Sequence, residues 1–190
     1  MDKKTIHEIF QQKRVEKSIR EEFEQTFADR VARYLQVKPP GIVPYRHFSR
    51  ASVECSLLFR DGHFYGCIAL TQAVAEALVK FLCQRNSWRP TKVFETNVKN
   101  LSVRNVISDK LKESLLRIWE GRNDYHHLNP NVETDRRRLE ELARGKVCLL
   151  VEVESDVFNY TTDNGKMIPK HPKYWNAKGN MVSAFLWLDP

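Results

Sequence analysis

Gly121 opens the run Gly-Arg-Asn-Asp-Tyr-His-His-Leu-Asn-Pro, which sets Arg122, Asn123, His126 and His127 close together in the chain. Arg-Asn recurs at Arg85-Asn86 and Arg104-Asn105, and neither of those copies is followed by histidine. These residue types suit phosphodiester chemistry. Arginine holds a phosphate oxygen in bidentate fashion and stabilises charge that develops in the transition state. Histidine moves a proton near neutral pH. An asparagine amide orients the phosphate or a hydroxyl. RNA carries its own nucleophile, the ribose hydroxyl beside the phosphate, so a cation and an acid–base group suffice to cut it. No carboxylate cluster suggests a magnesium site, and the expected reaction uses no metal and no cofactor.

A helix turns about 100° per residue. With Arg122 at the origin, His126 falls near about 40°, Asn123 near about 100° and His127 near about 140°. All four polar groups then share one sector, with Asp124 and Tyr125 on the other side. Helix geometry alone pairs Arg122 with His126. A plainer role is also open: cations at a helix C-terminus oppose the macrodipole, and the same residues would cap or bridge a helix end.

The elements that must hold this run are mostly helical by pattern. Ile6, Ile9, Phe10, Ile19, Phe23, Phe27, Val31 and Leu35 recur at helical spacing and predict a long amphipathic helix, ended by Pro39-Pro40-Gly41. Ile42 to Arg50 reads as a loop, with Tyr45, Arg46 and His47 as a basic aromatic patch, and Ser52 to Phe59 as a short helix. From His63 to Asn86 two apolar stripes, one through Cys67, Val74 and Phe81 and one through Ile68, Ala75 and Leu82, predict a central core helix. Ser87 to Asn100 reads as a connector, followed by a helical turn over Leu101–Ile107. Ser108 is the expected N-cap of a helix whose stripe, Leu111, Leu115 and Ile118, runs toward Arg122. Asn129-Pro130 reads as the start of one long helix to Val157, provided that Lys146 snorkels. VCLLVEV alone would also fit a strand. Beyond Asn159 the chain is irregular and aromatic, and the segment MVSAFLWL is expected to dock as a strand on the helices or on a second subunit.

The chain has 190 residues, a net charge of +7 and a hydrophobic content of 42%, which fits a globular protein able to bury a core. The basic balance permits phosphate-rich partners without requiring them. Cys55, Cys67, Cys83 and Cys148 form no close pair, which speaks against a zinc site and for reduced thiols in the cytoplasm. No secretory leader is expected and no run approaches the length needed to span a bilayer, so no membrane partner is expected. His63 reads as a helix-start residue, and Arg136-Arg137-Arg138 as a solvated face or part of an RNA path.

Arg122, Asn123 and His127 together, as arginine, a polar residue and a histidine after four intervening positions, resemble the signature of the HEPN superfamily. The order of helices before and after them fits as well. The resemblance covers roughly residues 1–157 and leaves 158–190 as a C-terminal extension. It implies an all-α, antiparallel helical bundle that forms a homodimer, with the two motifs meeting in one composite cleft. It further implies a metal-independent endoribonuclease of a toxin–antitoxin or defence system, with RNA as substrate and an antitoxin or regulatory protein as a further partner. By carry-over Arg122 stabilises the phosphate, His127 transfers a proton or positions substrate, and Asn123 supports them, with His126 auxiliary. The tyrosine that a toxin subgroup carries two residues after its histidine is Asn129 here, so regulation at such a tyrosine is not expected. The alternatives are a non-catalytic nucleotide- or protein-binding dimerisation module and, more remotely, a helical DNA-binding protein.

Overall fold

The computed structural model describes residues 3–37, 42–44, 47–164, 166–175, 177–178, 181–182 and 184–186. The expected break at Pro39-Pro40-Gly41 and the patch residues Tyr45 and Arg46 lie outside the described residues. Among the described residues the helices are α1 (Lys3–Gln36), α2 (Ser49–Arg60), α3 (Phe64–Arg85), α4 (Phe94–Val103), α5 (Asp109–Trp119), α6 (Arg122–His127) and α7 (Arg136–Val157). Short strands form three antiparallel pairs: β1 (Ile42–Pro44) with β6 (Ala184–Leu186), β2 (Tyr160–Asp163) with β3 (Lys166–Pro169), and β4 (Ala177–Lys178) with β5 (Met181–Val182). The fold is all-α with a partly β C-terminal segment, as the pattern predicts.

Helix α3 is the centre. It packs on α2, α4, α5, α6 and α7, and both of its expected stripes are buried, including Cys67, Ile68, Val74, Ala75, Leu78, Phe81 and Leu82. By length and composition α3 is also apolar enough to cross a membrane. That corrects the expectation that no run approaches such a length. Here its apolar surface is covered by five neighbouring helices rather than left bare. The predicted cap of α5 is present: the Ser108 hydroxyl accepts from the Leu111 N–H at 3.2 Å, and Leu111, Leu115 and Ile118 are buried.

Four expectations need correction. The connector after Asn86 contains helix α4, whose entry is fixed by a pair of bonds: Thr91 N–H donates to Asn97 Oδ1 at 2.8 Å, and Asn97 Nδ2 donates back to the Thr91 carbonyl at 3.0 Å. The loop after Gly41 includes strand β1, whose partner β6 lies at the far end of the chain. The helix after the motif starts at Arg136, not at Pro130. Asn129 is not its cap, since it lies seven residues before that start, where its Nδ2 donates to Asp124 Oδ1 at 3.2 Å; Asp135 caps instead, accepting from the Arg138 N–H at 3.0 Å.

Lys146 is the fourth. It does not snorkel but lies buried on α7. Its Nζ donates to the carbonyls of Arg117 at 3.1 Å, Ile118 at 2.7 Å and Glu120 at 2.8 Å. From α3, the buried Gln72 amide donates to the Ile118 and Glu120 carbonyls at 3.1 and 3.0 Å. These carbonyls end α5 and have no donor further along the helix. Burial pushes the Lys146 ammonium down to about 8.

Further along α7, the buried Glu154 Oε2 accepts from the Ser52 hydroxyl of α2 at 2.6 Å, and burial pushes its carboxyl up to about 7. The C-terminal segment docks on the same end of the bundle. Tyr174 and Trp175 are buried, Tyr174 against Phe81 and Trp175 edge-on to Phe158.

Among the described residues, only the last turns of α1 are anchored. Arg33 Nε pairs with Glu140 of α7 at 2.8 Å, and Arg30 with Asp61 at 3.6 Å. The guanidinium groups of Arg33 and Arg136 both lie over the Phe64 ring, at 5.2 and 5.1 Å. Gly62, at φ +79°, sits against both of them, where a Cβ would come within 3.1 Å of Arg136 and 3.2 Å of Arg33.

Two stability measurements test these buried charges. Lys146→Met strips donors from three carbonyls and should cost about 1–3 kcal/mol in urea unfolding. Because the folded pKa lies below the ordinary 10.5, the unfolded chain binds more protons between those values. The Lys146 contribution therefore grows with pH through that window, and the gap to the variant should widen from pH 8 to pH 10. Glu154 has the opposite sign. The folded state keeps a proton that the unfolded state releases between about 4.5 and about 7, so its contribution falls as pH rises through that window. Glu154→Gln should remove that slope in a series of thermal melts.

Candidate functional site

The site begins where α5 stops. Its last carbonyls are held by Lys146 and Gln72, and the next residue in the chain, Gly121, takes φ +69° to turn sharply into α6. A side chain in that left-handed conformation costs about 1–2 kcal/mol. Tyr125, buried, anchors α6. Its ring packs 6.2 Å from that of Tyr65. Its hydroxyl accepts from the Glu133 N–H at 3.3 Å, and the Tyr65 hydroxyl donates to the Glu133 carbonyl at 2.8 Å. Leu128, at φ 50°, ends α6, and the Asn129 N–H closes the turn on the Asp124 carbonyl at 3.0 Å.

Arg122 is positioned from below by an aromatic stack. Phe94 of α4 lies face to face with Trp119, centroids 4.2 Å apart, and the Arg122 guanidinium lies over the Trp119 ring at 5.4 Å. Arg122 Nη1 donates to Asn123 Oδ1 at 3.3 Å. Its Nε is buried without a hydrogen-bond partner among the described residues.

His126 turns toward α3. Its ring lies near the backbone of Ala69 and the carboxylate of Glu76, while Nε2 is buried and has no partner among the described residues. Burial, and then the charge of Arg122, hold the imidazole below its ordinary pKa. Asn123 and His127 are exposed. The four polar residues of the motif thus divide into two pairs: Arg122 with His126 on the inner side, Asn123 with His127 on the outer. Helix geometry pairs Arg122 with His126 but sets all four groups in one sector; the difference in burial is what separates them. The HEPN resemblance assigns the working role to His127, which lies on the outer side of α6.

An open cleft of about 640 Å³ lies over Trp119, Arg122 and Asn123, and Glu95, Glu120 and Asp124 line it too. The cleft offers a guanidinium and an amide, with carboxylates at its margin. Among the described residues no group of three or more His, Cys, Asp or Glu side chains is arranged to hold a metal ion.

The other residues singled out by type sit apart from this cleft. His63 caps α3 without a side-chain bond. Exposed His47 lies edge-on to Phe48. Arg136, Arg137 and Arg138 form the exposed first turn of α7. The cysteines are free, and burial pushes the thiols of Cys55 and Cys67 far up.

Sequence reasoning missed Trp119, Gln72, Lys146 and Tyr125. Trp119 and Tyr125 had a local signal, being aromatic residues three positions to either side of Arg122. Gln72 and Lys146 act from other helices; Lys146 showed only as a break in an apolar stripe, and nothing in the sequence named the acceptors of either. Comparison with protein-family models, with curated proteins and with solved structures finds no match for this chain.

The Arg122–His126 pairing makes a prediction that needs no substrate. In an NMR titration of the ring carbons, His126 should titrate below the ordinary imidazole value. Arg122→Gln should move it upward, because a positive neighbour disfavours the imidazolium.

Proposed function

We propose that this chain is a metal-independent endoribonuclease of the HEPN kind, acting on single-stranded RNA as a homodimer. The observation that carries the reading is the pair formed by Arg122 and His126. A guanidinium at the edge of an open cleft shares a short helix with an imidazole that lies outside the cleft lining, that burial and then the charge of Arg122 hold below its ordinary pKa, and whose Nε2 has no partner among the described residues.

In this reading Arg122 takes a non-bridging phosphate oxygen and stabilises the charge that gathers there. A neutral imidazole accepts the proton of the ribose 2′-hydroxyl, whose oxygen attacks phosphorus. The bond to the 5′ oxygen breaks, and that oxygen leaves with a proton from a second imidazole. His127, exposed on the same helix, supplies that proton from the composite cleft of a dimer in this reading. Asn123 holds the angle of the guanidinium through its bond to Nη1. The products are a cyclic phosphate on the upstream fragment and a free hydroxyl on the other.

A second reading, a non-catalytic binding module, is favoured by one observation. Glu95, Glu120 and Asp124 line the same cleft and oppose an RNA backbone there.

Cleavage of single-stranded RNA in EDTA, with product ends identified by mass spectrometry, separates the two. The ribonuclease reading expects cyclic phosphate ends and a loss of about 10²–10³-fold in Arg122→Ala. His126→Ala and His127→Ala, made separately, should each slow cleavage by about 10²-fold or more if both imidazoles move protons. Cleavage unchanged in Arg122→Ala overturns the site. Saturable binding that needs Arg122, with no product, establishes the second reading instead.

A further inference from the structure

Helix α1 carries an apolar face that nothing in the described structure covers. At about 100° per residue, Ile6, Ile9, Phe10, Phe27, Val31 and Leu35 share one sector of about 100°. All are exposed, Phe10 at 70% and Leu35 at 74%. The body of the protein meets a different side of α1, through Arg30 and Arg33, centred about 140° away. A helix of 34 residues is about 50 Å long, so most of it stands clear of the anchor at its end.

Between Glu8 and the ion-paired Arg30 and Arg33, the middle of α1 runs from mainly basic to acidic. Lys13, Arg14, Lys17 and Arg20, interrupted by Glu16, are followed by Glu21, Glu22, Glu24 and Asp29. Lys13, Lys17, Arg20 and Glu24 fall within the same sector as the apolar residues and lie between its two apolar ends.

We propose that this face binds α1 of a second copy of the chain, antiparallel, with the two helices crossing near Arg20 and Glu21. That register sets Phe10 of one copy opposite Val31 of the other, Ile6 opposite Leu35, and Lys17 opposite Glu24. Each contact is made twice across the two-fold axis, as an isologous interface requires. A cavity of about 260 Å³ formed by Phe23, Phe27, Val31, Tyr34 and Arg60 receives the partner's Phe10 ring. A parallel pair would set like charges together. An anionic lipid surface would be repelled by the acidic half of the same helix. The pairing does not rest on the ribonuclease reading and uses a surface remote in sequence from α6.

The test is the mass of the full chain by light scattering, with circular dichroism to confirm that the helices persist. Lys13→Glu/Lys17→Glu/Arg20→Glu makes the face acidic, and Glu21→Lys/Glu24→Lys makes it basic. Each chain alone should show half the wild-type mass. Mixing the two should restore it, and so should all five changes in one chain, since reversing both halves keeps them complementary. A wild-type monomer overturns the proposal, as does a mass indifferent to the reversals, or a loss that mixing fails to restore. A wild-type monomer that binds anionic vesicles through Phe10 identifies a membrane as the occupant instead.

Discussion

The position of every group at the motif depends on how one helix is terminated. The last carbonyls of α5 point out of the helix with no donor ahead of them, and they are partly or fully buried. An ammonium from α7 and an amide from α3 supply the missing donors. The negative end of the α5 dipole adds to the attraction for Lys146. Three helices are thereby tied at one point, immediately before Gly121. Trp119, on the same last turn, brings in α4 through its stack on Phe94. Arg122 inherits its place from four helices, although it is itself only half buried.

That arrangement explains why two neighbouring histidines differ so much. Helix α6 is six residues long and presses Tyr125 into the bundle. A rotation of about 100° from Tyr125 carries His126 along the wall of α3, and a further step carries His127 into the open. Burial and the charge of Arg122 act together on the first ring.

Much of this was legible in the order of residues, and what was not has identifiable causes. The stripes of α3 and α5 and the Ser108 cap are local patterns, set by helical period and by one hydroxyl. Helix α4 was hidden because its entry depends on the reciprocal Thr91–Asn97 bonds rather than on a familiar cap. Asn129 looked like a cap, but its amide was already engaged by Asp124. Lys146 stood out as a break in an apolar stripe, yet its acceptors belong to another helix about 28 residues earlier. The apolar period of α1 was plain, but a period cannot say what covers it. Helix geometry alone paired Arg122 with His126, but it set all four polar groups in one sector and could not say which of them the bundle would bury.

The pairing of β1 with β6 has a consequence for how the protein is made. The strands are hydrogen-bonded neighbours, yet about 140 residues of chain separate them. A ribosome working at about 5–20 residues per second needs roughly ten seconds to cover that interval. During that time β1 has emerged with its edge unpaired, while α2 to α7 are able to collapse around α3. The ribbon is therefore a late clasp, closed on a helical body that has already formed. In a nascent chain that interval is the period of exposure to mispairing with another strand.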